Sequence, residues 1–220
     1  MSPIAENLKK IRENIQKYSK EPGKVRVLGV TKFQPLERIT EAMDLGVHLM
    51  GVNYVQEGQK LREALKDRSV EWHFIGHIQS RKAKQLLDYS CIQSLDRLEV
   101  ADELNRRLGA IDKKLRVLVE VNIGREPQKS GVMPEAIEDF LDKMQAFPLL
   151  VVDGLMSMPP PLPSEQRRPF FQKTKEIHDA LSGRYSFNTL SMGTSDDYPL
   201  ALEEGANLIR LGTCLFGNRW

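Results

Sequence analysis

The sequence predicts an α/β protein: a (β/α)₈ TIM barrel over residues 1–220, one domain with an extra N-terminal helix. Three observations carry that reading. Short apolar runs rich in β-branched residues alternate with amphipathic helical patterns along the chain, which implies βαβ units and a parallel sheet. The apolar runs number eight, the count that closes a barrel, whereas an open doubly wound sheet uses about five or six. No Pro/Ser/Gly-rich linker divides the chain, and Met158-Pro-Pro-Pro-Leu-Pro163 is a rigid loop too short to separate domains.

Taken in order, the opening segment sets Ile4, Leu8, Ile11, Ile15 and Tyr18 on one stripe. Residues 1–20 therefore read as a helix that packs on the barrel, with Ser2 as N-cap and Pro3 at the first helical position. Glu21-Pro22-Gly23 stops it. Strands are expected at Val25–Val30, Val47–Gly51, Trp72–Gly76, Cys91–Leu95, Val117–Asn122, Val151–Met156, Asn188–Met192 and Leu208–Gly212. Helical patterns cover Leu36–Leu45, Ser80–Leu87, Arg97–Leu108, Pro134–Phe147 and Gln166–Leu181. Gly46, Gly109 and Gly205 are expected to end helices.

Composition narrows the function classes. The chain is 40% hydrophobic and 28% charged, with a formal net charge of only +2. Its Lys and Arg residues alternate with Asp and Glu, so neither nucleic acid nor an anionic membrane is expected as a partner. The N-terminus has no apolar signal segment and no apolar run reaches membrane-spanning length, which predicts a cytoplasmic protein. Cys91 and Cys214 both lie in apolar stretches and are expected to be free thiols.

In a barrel of this type the active face gathers at the C-terminal ends of the strands. Two loops there stand out: Ser191-Met192-Gly193-Thr194-Ser195 after the seventh strand, and Arg210-Leu211-Gly212-Thr213 closing the eighth. Both offer glycine, small hydroxyl residues and backbone N–H groups, the parts of an anion nest at the fold's usual phosphate position. Taken singly, each also reads as an ordinary tight turn. Lys32 follows the wholly apolar run Val27–Val30, and barrel closure brings it beside residues 210–213. It is either a counter-charge to the phosphate or an amine poised to form a Schiff base. A lysine beside a phosphate cradle is what a pyridoxal 5′-phosphate (PLP) site requires.

The motifs VTK at 30–32, NYVQE at 53–57, WHFIGHIQSRK at 72–82, SLDR at 94–97, KSG at 129–131, GLMSMPP at 154–160, SMGTSDD at 191–197 and RLGTCLFG at 210–217 together resemble the pyridoxal-phosphate homeostasis proteins. That family is related to the N-terminal barrel of alanine racemase. The resemblance implies PLP as a Schiff base on Lys32, phosphate contacts from Ser191, Gly193, Thr194, Ser195, Gly212 and Thr213, and ring contacts from Asn53 and Met156. It places Arg210 at either the pyridine nitrogen or the phosphate. Val52 stands where the family has an acidic residue and Arg81 where it has asparagine; both substitutions are expected at the rim of the pocket.

The remaining candidates have plain structural readings. His48, His73, His77 and His178 show no metal-ligand spacing; His48 and His178 read as satisfied structural histidines, and His77 as a residue near the pocket. Asp196 and Asp197 are expected to cap a helix. Racemisation would need acid/base groups on both faces of a substrate Cα. In alanine racemase the second group is a tyrosine from another domain, and here only Tyr54 and Tyr198 are expected near the face. The sequence therefore predicts a non-catalytic PLP binder in vitamin B6 and amino-acid/keto-acid homeostasis, with PLP-dependent apoenzymes as acceptors. The alternative is a racemase-like enzyme. With the chain ending after the barrel, a monomer is expected.

Overall fold

Each apolar run forms a strand, and the eight strands close into one parallel barrel in sequential order. The structure is a computed structural model describing residues 2–217. The strands are β1 (Arg26–Val30), β2 (Leu49–Val52), β3 (Glu71–Phe74), β4 (Cys91–Leu95), β5 (Leu115–Val121), β6 (Leu150–Ser157), β7 (Thr189–Ser191) and β8 (Leu208–Leu211). Around them run α1 (Pro3–Tyr18), α2 (Leu36–Asp44), α3 (Val55–Ala64), α4 (Leu98–Gly109), α5 (Ile137–Met144), α6 (Arg168–Tyr185), α7 (Tyr198–Glu203) and α8 (Thr213–Phe216). Ser80–Leu86 forms 3₁₀ turns instead of the expected α-helix, and α3, α7 and α8 add helices to the expected set.

Closure is made by β1, which pairs with β2 on one side and β8 on the other, Leu28 lying opposite Arg210. Side chains alternate across the strands, so the barrel wall separates two apolar volumes. Leu28, Leu49, Cys91, Leu118, Met156 and Leu208 pack inside the barrel, with Val30 and Ile75 above them. The larger core lies between the wall and the helices. There α1 buries Ile4, Leu8, Ile11 and Ile15, each contributing roughly 1.5–3 kcal/mol by leaving water. The Ser2 hydroxyl caps α1 by accepting from the Ala5 N–H at 3.2 Å, as the sequence predicts.

Gly109 does end α4, as its last helical residue, and Gly46 and Gly205 follow their helices with φ of +95° and +93°. Several other expectations are corrected. Asp197 occupies the position before α7, but its carboxylate accepts from the Thr194 N–H and pairs with Arg167 without capping the helix. His48 is exposed and not structural. His178 is satisfied on one side only: its Nδ1 meets Ser182 and Asp179, while its buried Nε2 has no partner. Val52 is fully buried in the layer between wall and helices, not at the pocket rim, so a carboxylate there would need a buried partner. Cys91 and Cys214 are free thiols, one buried and one half-buried.

A candidate cofactor site at the C-terminal mouth

The site begins where β1 ends. Buried Thr31 bonds the Gly51 carbonyl through both its N–H and its hydroxyl, which locks the wall beneath the next residue. Lys32 then emerges half-buried, its Nζ 5.1 Å from the Phe33 ring centre and 5.2 Å from that of Tyr54. Phe33 has φ +62°, a strained conformation for an aromatic residue, and turns the chain directly after the lysine. Glu57 on α3 is a further neighbour. Burial raises its carboxyl pKa, while the Thr31 hydroxyl and the Lys32 charge act the other way.

Beside Lys32, the loops after β7 and β8 are stitched together. The Ser195 hydroxyl accepts from the N–H groups of Gly212 and Cys214, both at 3.2 Å. Two N–H groups converging on one oxygen is the geometry of an anion nest. The N–H groups of Ser195 and Thr213 have no acceptor among the described residues. Gly193 makes this loop possible: its φ is +87°, and a Cβ there would lie 2.7 Å from the Ala201 Cβ and 2.9 Å from the Tyr198 Cα. At Gly212 the reverse holds. Its nearest neighbour to a Cβ would be the Val30 Cβ at 3.8 Å, so this glycine borders open space in the mouth.

Below the loops lies Arg210, only 6% exposed. Its Nη1 donates to the Ser191 carbonyl at 2.9 Å and hydroxyl at 2.7 Å, and its Nη2 to the Ser157 carbonyl at 3.0 Å. The guanidinium thus reaches across β7 toward β6, away from the Gly212–Thr213 loop. Burial lowers its pKa to about 10, opposed by Glu120 and Asp197, and it stays charged at neutral pH. Three of its five N–H groups are engaged; the Nε–H and one Nη2–H have no acceptor among the described residues.

Each sequence-predicted residue now has a place. Lys32, Asn53, Gly193, Ser195, Arg210, Gly212 and Thr213 lie on strand ends or loops of this one face. Asn53 presents a buried Oδ1 with no partner. Met156 lines the barrel interior, opposite Glu120 in register. Ser191 donates to Gln93 and accepts from Arg210, so its hydroxyl supports the arginine and is not a free donor to the mouth. The Thr194 N–H is likewise engaged, by Asp197. Tyr198 is corrected: it is buried and its hydroxyl accepts from Asn14 on α1, away from the mouth. His77 is exposed and bonds the Ser130 hydroxyl at 2.9 Å.

Sequence reasoning missed Glu120 and Gln93, and gave Asp96, just past β4, no role. Glu120 sits on the inward face of β5; burial first and the nearby Asp96 second raise its pKa to about 7, against Arg210 and Lys129. The available signal was the single acidic residue in Leu115–Val121, at the same inward parity as Leu118.

Comparison with known proteins bears on the family and the fold. The model of the family "Alanine racemase, N-terminal domain" matches residues 7–219. The chain is similar to a pyridoxal phosphate homeostasis protein of Aquifex aeolicus, 41% identical over 97% of each chain. The protein of that name from Escherichia coli is 35% identical over 100% of this chain and 98% of the other. Among solved structures, PipY of Synechococcus elongatus without PLP matches with a TM-score of 0.88 at 30% identity, over 97% of this chain and 100% of that one. Its PLP-bound form gives a TM-score of 0.86. An alanine racemase of Clostridium difficile, at 15% identity and a TM-score of 0.73, shares the fold.

Proposed function

This chain belongs to the pyridoxal phosphate homeostasis protein family, and we propose that it binds PLP on Lys32 and holds it for storage or transfer without turnover. The single observation that carries the reading is the half-buried Lys32 amine, set by barrel closure beside the stitched Ser195–Gly212 nest. When bound, PLP supplies an aldehyde that a lysine amine captures and a ring that withdraws electrons. The residues present fit that group: a primary amine, unengaged N–H donors, an orphaned Asn53 Oδ1, and open space at Gly212.

In this reading Ser195, Gly193, Gly212 and Thr213 would hold the phosphate, and Thr194, whose N–H and hydroxyl both donate to Asp197, would shape the loop around it. Asn53 and Met156 meet the ring. Arg210, held against Ser191 and Ser157 below the phosphate loops, would face the pyridine nitrogen. A permanently charged arginine cannot protonate that nitrogen, which weakens the ring as an electron sink and favours holding over catalysis. No helix among the described residues is long and apolar enough to cross a membrane. A cytoplasmic, monomeric carrier that hands PLP to apoenzymes is part of the same proposal.

Borohydride reduction of the PLP-loaded protein should fix a pyridoxyl group on Lys32, and an adduct on another lysine would overturn the assignment. One observation favours a second reading: Glu120 exchanges its proton near neutrality and lies on the inner wall opposite Met156. Cα deuterium exchange of L- and D-amino acids separates the two. Exchange at the rate of free PLP supports the carrier. Sustained exchange far above it, lost in Glu120→Gln, would make the protein racemase-like.

A further inference from the structure

Inside the barrel, polar side chains stand where such barrels usually stack branched apolar ones. His73 is 2% exposed, and Gln93 and Ser191 are fully buried. Buried polar groups of this kind are costly unless each is bonded. Here each is bonded to the next. Arg210 Nη1 donates to Ser191 Oγ at 2.7 Å, and Ser191 Oγ donates to Gln93 Oε1 at 2.7 Å. Gln93 Nε2 meets His73 Nδ1 at 2.8 Å, and His73 Nε2 meets Glu71 Oε1 at 3.0 Å. Glu71 is in turn held by Arg26 and Arg116, each at 2.5 Å.

The chain can run in only one direction. Arginine only donates, and the serine hydroxyl has one proton, so Ser191 accepts from Arg210 and gives that proton to the Gln93 carbonyl. The amide must then turn its NH₂ toward His73 Nδ1, which leaves the ring proton on Nε2, facing Glu71. With the amide turned round, a neutral imidazole carrying its proton on Nδ1 would point a lone pair at the Glu71 carboxylate. Only a doubly protonated ring would accept that arrangement. Burial lowers the His73 pKa, Arg116 and Arg26 add to this, and the Glu71 bond opposes it. The other ionisable groups around this floor are Glu21 and Lys24, which pair with each other at 2.5 Å, Asp153, which pairs with Arg116 at 3.8 Å, and Cys91, whose thiol burial pushes up to about 12. The floor opens into a cavity of about 680 Å³ on the face opposite the mouth, lined by Arg26, His73, Arg116 and Asp153 among others.

We propose that His73 and Gln93 are positioning residues of the cofactor site: a one-way hydrogen-bond chain from the barrel floor fixes the Ser191 hydroxyl, and through it the guanidinium of Arg210. The inference rests on the reading that Arg210 faces bound PLP. What it adds is that the arginine's orientation is set from the far end of the barrel by residues that never touch the cofactor.

Two measurements on the full chain test it. In the ligand-free protein, ¹⁵N chemical shifts of the His73 ring should report the Nε2–H tautomer with a bare Nδ1; the opposite tautomer overturns the chain whatever the fate of the PLP reading. In the PLP-loaded protein, Gln93→Leu and His73→Phe should shift the visible band and release PLP about tenfold faster, the loss of one hydrogen bond to a charged network. His73→Gln keeps both the acceptor and the donor, and should match the wild type in band and release rate. Wild-type behaviour of Gln93→Leu with the Lys32 adduct intact would overturn the proposal. So would a His73→Gln protein that fails as badly as His73→Phe. A missing Lys32 adduct in the wild type would instead sink the parent reading, leaving the tautomer to decide the chain. Thermal unfolding of each variant separates a lost fold from a misplaced arginine.

Discussion

Replacing Glu120 by glutamine removes a carboxyl that the fold prefers to keep protonated, and the size of the effect follows from where the residue sits. Its ordinary pKa of 4.5 is raised to about 7 by burial inside β5 and by Asp96, in spite of Arg210 and Lys129. A group whose pKa is raised on folding destabilises the protein wherever the unfolded chain has lost its proton and the folded one must follow. At about pH 4 both states keep the proton and no penalty exists. As pH climbs from about 4.5 to 7 the wild type loses stability, and above 7 the full penalty remains. With about 1.4 kcal/mol per pKa unit, the shift to about 7 amounts to about 3 kcal/mol. Urea unfolding of ligand-free wild type and Glu120→Gln should therefore differ by about 3 kcal/mol more at pH 8 than at pH 4, with the variant the more stable at pH 8. A difference between the two proteins that does not change with pH would refute the buried, raised carboxyl.

Other perturbations read other parts of the account. Gly154 in β6 has φ +150°, and a Cβ there would collide with the Thr189 carbonyl of β7, so Gly154→Ala should cost about 3 kcal/mol or more in urea unfolding. A cost below about 1 kcal/mol would show that the β6–β7 seam can yield. Ser195→Ala takes the shared acceptor from Gly212 and Cys214; it should cost about 1–2 kcal/mol and weaken PLP binding, while unchanged binding would remove Ser195 from the nest. Burial pushes the Cys91 thiol up to about 12, so native-state alkylation followed by peptide mapping should label half-buried Cys214 first; early labelling of Cys91 would contradict its burial.

The barrel was legible because a parallel strand covered on both faces reads as a continuous apolar run, and eight such runs survive in this chain. The helices were less so. Val55–Ala64 carries Gly58 and six charged or amide side chains, so its thin apolar stripe gives little periodicity, yet β2 and β3 need a crossover there. Ser80–Leu86 has helical composition but coils as 3₁₀ turns. The phosphate-side loops were legible from Gly193, whose positive φ requires glycine, and from the small residues Ser195 and Gly212 beside it. The residues behind them were not. Gln93, His73 and Glu120 look like stray polar residues in apolar strands until parity is combined with barrel closure, which turns all of them inward. Tyr198 shows the opposite error: near the face in sequence, it is carried by the first turn of α7 to the α1 side.

The central claim is that Lys32 is the tether, and the absorbance spectrum of the PLP-loaded wild type beside Lys32→Ala tests it most directly. The account predicts a yellow wild type whose visible band survives gel filtration, and a variant that folds but carries no such band. A Lys32→Ala protein that keeps the band would contradict it.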